Sequence, residues 1–135
     1  MLATPGAVFV NLQYGDCVAE IAAARAQLGV EIFQPPQIDL KDHLDDVAAL
    51  CCALDLVVGP ANATSNIAAA CGADAWLIST PGAWPKLGTR RLPWYPSMRV
   101  FEPPGFNQWH PVMAQVASAL AERVAQPGTE AHNRG

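Results

Sequence analysis

Apolar positions in this chain come in short β-rich runs, each followed by a stretch with helical spacing. The first run covers residues 7–12 (AVFVNL), and Gly15-Asp16 breaks it before a helical stretch over 17–28. Ile21, Ala24 and Leu28 recur at helical spacing, Asp16 can cap the start, and Gly29 can close the end in the left-handed conformation. A second strand is expected at 30–33. Pro35-Pro36 forces an extended connection, and 42–45 (DHLD) then reads as a capped helix start with Leu44, Val47, Ala48, Cys51 and Leu54 on one face. A strand at 55–58 follows, ended by Gly59-Pro60. Thr64 to Cys71 predicts a short Ala-rich helix stopped by Gly72, and Ala75-Trp76-Leu77-Ile78 another strand. Residues 81–96 are rich in Pro, Gly, Trp and Arg without periodicity, the signature of a long ordered loop. The last strand is expected at 98–101. In the final helix Pro111 suits the first turn, and Val112, Val116, Leu120 and Val124 form a stripe that can pack on a sheet.

A βαβαβαβ order with short connections predicts an α/β fold: a single Rossmann-like, doubly wound parallel sheet with helices on both faces and ligands at the strands' carboxyl ends. Residues 1–126 are read as this one domain, and 127–135, which lack an apolar anchor, as a flexible tail. A length of 135 residues suits one core, and 51% apolar with 15% charged residues excludes disorder. The net charge of -4, with few and scattered basic residues, excludes nucleic acid as a partner. No apolar run approaches the ~20 residues of a membrane span, and the start lacks a secretion-signal pattern, so a cytoplasmic location is expected. Adjacent Cys51 and Cys52 in a helical pattern, with Cys17 and Cys71 near other helix ends, read as reduced thiols. His43, His110 and His132 lack metal-ligand spacing, and no metal site is expected.

The most informative stretch is 59–72 (GPANATSNIAAACG), where a strand ends, small polar residues follow, and an Ala-rich helix begins. The unpaired N–H groups of a helix start favour phosphate, and the Thr64 and Ser65 hydroxyls can assist; plain helix capping by Asn62, Thr64 or Ser65 is the alternative. Lys86 with Arg90 and Arg91 can offer charge to a diphosphate or form an ordinary solvated loop. Trp84, Trp94 and Tyr95 can stack on a base, or pin the loop to the core. Neither G-x-G-x-x-G nor a P-loop follows the first strand, which disfavours other small nucleotide binders.

From about Phe9 to Leu120 the chain resembles the C-terminal, nucleotide-sugar-binding half of GT-B glycosyltransferases, specifically heptosyltransferase-like proteins and their tetratricopeptide-linked relatives, and more distantly O-GlcNAc transferase. The resemblance rests on 9–16 (FVNLQYGD), 38–50 (IDLKDHLDDVAAL), 54–60 (LDLVVGP) with its Ala-rich helix, and 93–101 (PWYPSMRVF), of which PWYPS is the most specific. It implies a donor site at Gln13, Asn62, Thr64, Ser65 and Asn66, with a nucleotide-diphosphate sugar as donor substrate and no separate cofactor. The loop from Ile38 to His43 would lie near base and ribose, or be an ordinary connection.

Departures from the family pattern shape the expected function. Ala61-Asn62 and then Asn66 stand where many heptosyltransferases carry Asp-Thr and a later His, and Gly15 where some relatives place a Lys. Asn cannot serve as a general base, though its amide can bond a sugar or phosphate. The expectation is therefore a donor-binding domain of a glycosyltransferase-like protein, inactive in transfer without an acceptor domain. An upstream acceptor or tetratricopeptide domain is the implied partner, and a cleft-facing surface is expected to let the isolated chain self-associate into a homo-oligomer. The rival expectation is a non-catalytic interaction module, or a remnant retaining the fold.

Overall fold

A computed structural model describes residues 1–126; the expected tail at 127–135 lies outside the described residues. Strands and helices alternate as β1 (Phe9–Val10), α1 (Val18–Leu28), β2 (Ile32–Phe33), α2 (Leu44–Ala53), β3 (Val57–Pro60), α3 (Ala63–Ala70), β4 (Ala75–Ile78), β5 (Arg99–Phe101) and α4 (Trp109–Ala125). A 3-10 turn at Trp84–Lys86 lies between β4 and β5. The class is α/β, and all strand pairs are parallel.

One sheet was expected, and two are present. β1 pairs with β2, and β3, β4 and β5 form a separate sheet in that order. β1 and β2 are two residues each, and Phe9 joins the second unit by packing against the cluster of Trp76, Phe101, Val112 and Val116 rather than by a backbone ladder. The three-stranded sheet is covered on both faces. Along β4, Ala75 and Leu77 face a cluster with Val47 and Cys51 of α2 and Ala68 and Ala69 of α3, whereas Trp76 and Ile78 face Val112, Val116 and Leu120 of α4. This is the period of two that a strand imposes. The Val112, Val116 and Leu120 stripe is buried as expected, and Arg123 fastens the end of α4 by bonding the Asp55 carbonyl and the Asp74 carboxylate.

Helix ends follow the sequence at α1 and α3, whereas the cap expected at 42–45 is absent: His43 is the N-cap of α2 and makes no side-chain cap hydrogen bond. Gly29 closes α1 with φ 65°, and Gly72 follows α3 with φ 80°, conformations that favour glycine. Asp16 accepts from the Val18 N–H at 3.2 Å, so its carboxylate does serve the start of α1. β3 is shifted from the expected 55–58: it begins at Val57 and takes in Gly59 and Pro60. A proline without an N–H is tolerated there because β3 is an edge strand of its sheet. Gly59 sits where a Cβ would stand 2.8 Å from the Ser65 hydroxyl, so the strand approaches α3 closely.

Candidate functional site

The carboxyl end of β3 runs through Asn62 directly into α3. Asn62 is the N-cap, its side-chain oxygen accepting from the Ser65 N–H at 3.0 Å. Asn66 donates its side-chain amide to the Asn62 carbonyl at 2.7 Å, and the Ser65 hydroxyl donates to the Pro60 carbonyl at 2.7 Å. Three of the five expected site residues are thus brought together and bonded to one another. Ser65 is buried with its hydroxyl committed to the end of β3, so it acts in the fold as a brace between strand and helix.

Thr64 differs from its neighbour. Its side chain is largely buried, yet its hydroxyl makes no hydrogen bond among the described residues. No fully buried side-chain oxygen there lacks a partner, so this hydroxyl keeps contact with solvent. The Ala63 and Thr64 N–H groups are first-turn donors without an acceptor among the described residues. Two amides and one hydroxyl at the positive end of the helix are therefore left without a protein partner among the described residues.

Gln13 lies in the exposed loop after β1, where its side-chain amide donates to the Glu20 carboxylate at 3.1 Å and its N–H to Asn11 at 3.0 Å. It makes no hydrogen bond to the start of α3, and the adjoining Glu20 is a charge that a diphosphate would avoid. The loop from Ile38 to His43 is built as a local turn. The Lys41 and Asp42 N–H groups donate to the Asp39 carboxylate at 2.9 and 3.0 Å, and those bonds hold its carboxyl below the usual range.

A second feature arises from the aperiodic loop. Lys86 is 4% exposed and paired with Glu102 just beyond β5, and its ammonium also donates to the Thr80 carbonyl at 3.4 Å. Lys86 is therefore neutralised within the fold, unlike the solvated charge that the sequence suggests. Arg90 and Arg91 are exposed. Beside the pair lies a groove of about 560 Å³, lined by Trp84, Arg90, Glu102 and Gln115 among others; no residue of the α3 start borders it. The aromatic residues divide: Trp94 bonds the Pro85 carbonyl at 3.1 Å and Tyr95 packs on the core, whereas Trp84 is 79% exposed. Glu102 went unnoticed in the sequence because its partner is sixteen residues away, and no local spacing links them.

Taken together, these features define an α/β domain with a polar, Asn62-capped helix start at the carboxyl end of a parallel strand. The chain is 54% identical over 125 residues to Protein FlbA of Caulobacter vibrioides. The match takes in 93% of this chain but 21% of FlbA, so the chain spans about a fifth of that relative's length. No family model matches the chain, and no solved structure matches it significantly. Among the described residues no cluster of three His, Cys, Asp or Glu side chains suits a metal ion, and no helix is long and apolar enough to cross a membrane.

Proposed function

We propose that this chain is a Rossmann-like domain related to the donor-binding half of GT-B glycosyltransferases, and that it holds the diphosphate of a nucleotide-diphosphate sugar at the start of α3. The observation that carries this reading is the pair of unpartnered amides at Ala63 and Thr64 beside the unpartnered Thr64 hydroxyl, at the carboxyl end of a parallel strand. Asn62 and Ser65 fix the helix start rather than contact the ligand, and Asn66 presents its remaining amide oxygen. Gln13 approaches the donor only by leaving Glu20. From Gly59 to Gly72 there is no carboxylate or imidazole, so the site binds a donor without supplying a general base. Transfer then depends on an acceptor-binding domain, for which the four-fifths of FlbA outside the match leaves room.

The test is titration with uridine diphosphate, comparing wild type with Thr64→Val. Weak binding is expected, and the loss of one hydroxyl bonded to a charged oxygen, roughly 1.5 to 3 kcal/mol, should lower affinity at least about tenfold. Folding stability should change little, since that hydroxyl has no partner within the fold. A folded wild-type chain that binds no nucleoside diphosphate at millimolar concentration would sink the reading.

A second reading, a non-catalytic interaction module, is favoured by the surface around β1 and β2, where Val8 is 86% and Phe33 55% exposed. Self-association through that surface would appear in light scattering as a mass that rises with concentration. A strict monomer, together with nucleotide binding, decides for the donor site.

A further inference from the structure

Three of the four cysteines meet where α2 and α3 end side by side. Cys51 and Cys52 lie near the end of α2, and Cys71 closes α3. The Cys52 thiol is 3.6 Å from the Cys71 carbonyl oxygen. The Cys71 thiol in turn is 3.8 Å from the Ala48 carbonyl oxygen, the acceptor that helical i to i+4 pairing gives to the Cys52 N–H. The Cys71 thiol bonds the Ile67 carbonyl of its own helix at 2.8 Å, and each thiol also lies against a carbonyl of the other residue's stretch of backbone, so the two side chains share the seam between the helix ends.

The three sulfurs are not equivalent. Cys51 is fully buried in the core, and burial, helped by the nearby Cys71 and Cys52 thiols, pushes its thiol up to about 11. It stays protonated and poorly nucleophilic. Cys52 and Cys71 are both exposed, so a small oxidant can reach them. Cys17 is buried elsewhere, against Asn11.

We infer that Cys52 and Cys71 form an oxidation site that closes an intramolecular disulfide across the ends of α2 and α3 when hydrogen peroxide reaches it. One thiolate attacks a peroxide oxygen, breaking the O–O bond; hydroxide leaves and takes up a proton, and the sulfur becomes a sulfenic acid. The second thiol gives up its proton and attacks that sulfur, forming the S–S bond and displacing the hydroxyl as water. Two thiols and one peroxide thus yield one disulfide and two waters, with both sulfurs oxidised and both peroxide oxygens reduced. The bond ties together the two helices that cover one face of the three-stranded sheet, and the loop it closes contains β3 and the start of α3.

The experiment treats the 135-residue chain with stoichiometric hydrogen peroxide, alkylates the remaining thiols in denaturant, and maps the digest without reduction. The expected product is a monomer lighter by two hydrogens before alkylation, with the Cys52 and Cys71 peptides joined and Cys17 and Cys51 alkylated. Dithiothreitol should reverse it, and Tm should exceed that of the reduced form because the closed loop restricts the unfolded chain. Cys52→Ser and Cys71→Ser, both at exposed positions, should each remove the cross-link while retaining native circular dichroism. A wild-type chain that gives only sulfinic acid, only bonds between chains, or a bond that includes Cys51 overturns the inference.

Discussion

The β1–α1–β2 unit and the sheet built from β3, β4 and β5 are composed of similar apolar runs, yet they bury them to different degrees. Each strand of the larger sheet meets side chains from α2 and α3 on one face and α4 on the other, and Val47, Cys51, Val112 and Val116 are almost completely enclosed. In the smaller unit the strands are two residues long, α1 contains no buried residue, and Val8 and Phe33 remain largely in water. An apolar run fixes what a segment is able to bury. Whether it does so depends on neighbours: β4 is hydrogen-bonded on both sides, while β1 and β2 have only each other. Surface left open in this way suits a further protein surface, which is the basis of the interaction-module reading.

The largest test of this contrast is truncation in the larger sheet. Trp76→Ala removes a side chain packed on Phe101 at 5.2 Å between ring centroids and should cost about 4 kcal/mol in urea denaturation. Next comes the buried pair at the rim. Glu102→Gln leaves the Lys86 ammonium enclosed without its counter-charge, for a loss of about 3 kcal/mol, whereas Lys86→Met should cost less because the Glu102 side chain is 35% exposed and can rehydrate. If the two variants prove equal, the enclosure of Lys86 is not what sets the cost.

A third effect is read against pH. The Cys51 thiol is raised from 9.0 to about 11, so its contribution is fully present below about pH 9 and is lost as pH rises through 11. At about 1.4 kcal/mol per unit, wild type should lose up to roughly 2 kcal/mol more than Cys51→Ala over that interval, measured by paired urea titrations. Asn62→Ala removes the cap of α3 and should cost about 1 kcal/mol. The smallest change belongs to the smaller unit: Phe33→Ala should cost less than about 1 kcal/mol. A loss near that of Trp76→Ala would mean that β2 is far better packed than its exposure indicates.

Much of the larger sheet was legible because its signals are local. The bounds of β4 follow from four consecutive apolar residues between turn residues, Gly72 stops α3, and the stripe on α4 repeats every four residues. The shift of β3 was not legible, since Gly59-Pro60 reads as a break unless the close approach of Ser65 is known. Two short sheets in place of one also escaped, because pattern reports strand type and not which strands share a ladder. At the start of α3 the residue types allowed capping or phosphate binding. Hydrogen bonding assigns the cap to Asn62 and the brace to Ser65, and leaves only Thr64 with a spare hydroxyl. Lys86 and Glu102 lay beyond local reasoning, because a loop decides their encounter.

The close approach of Gly59 to Ser65 also bears on how such a sequence can drift. The backbone of Gly59 does not require a left-handed conformation, so the obstacle to a larger residue is the Ser65 oxygen alone, 2.8 Å from the missing Cβ. Alanine at 59 should be poorly accepted beside serine at 65 and much better accepted once that residue is itself alanine, although the bond to the Pro60 carbonyl is then forfeited. The two positions are epistatic: their substitution costs do not add. In an alignment of homologous chains they should covary, with glycine at the first accompanying a hydroxyl at the second.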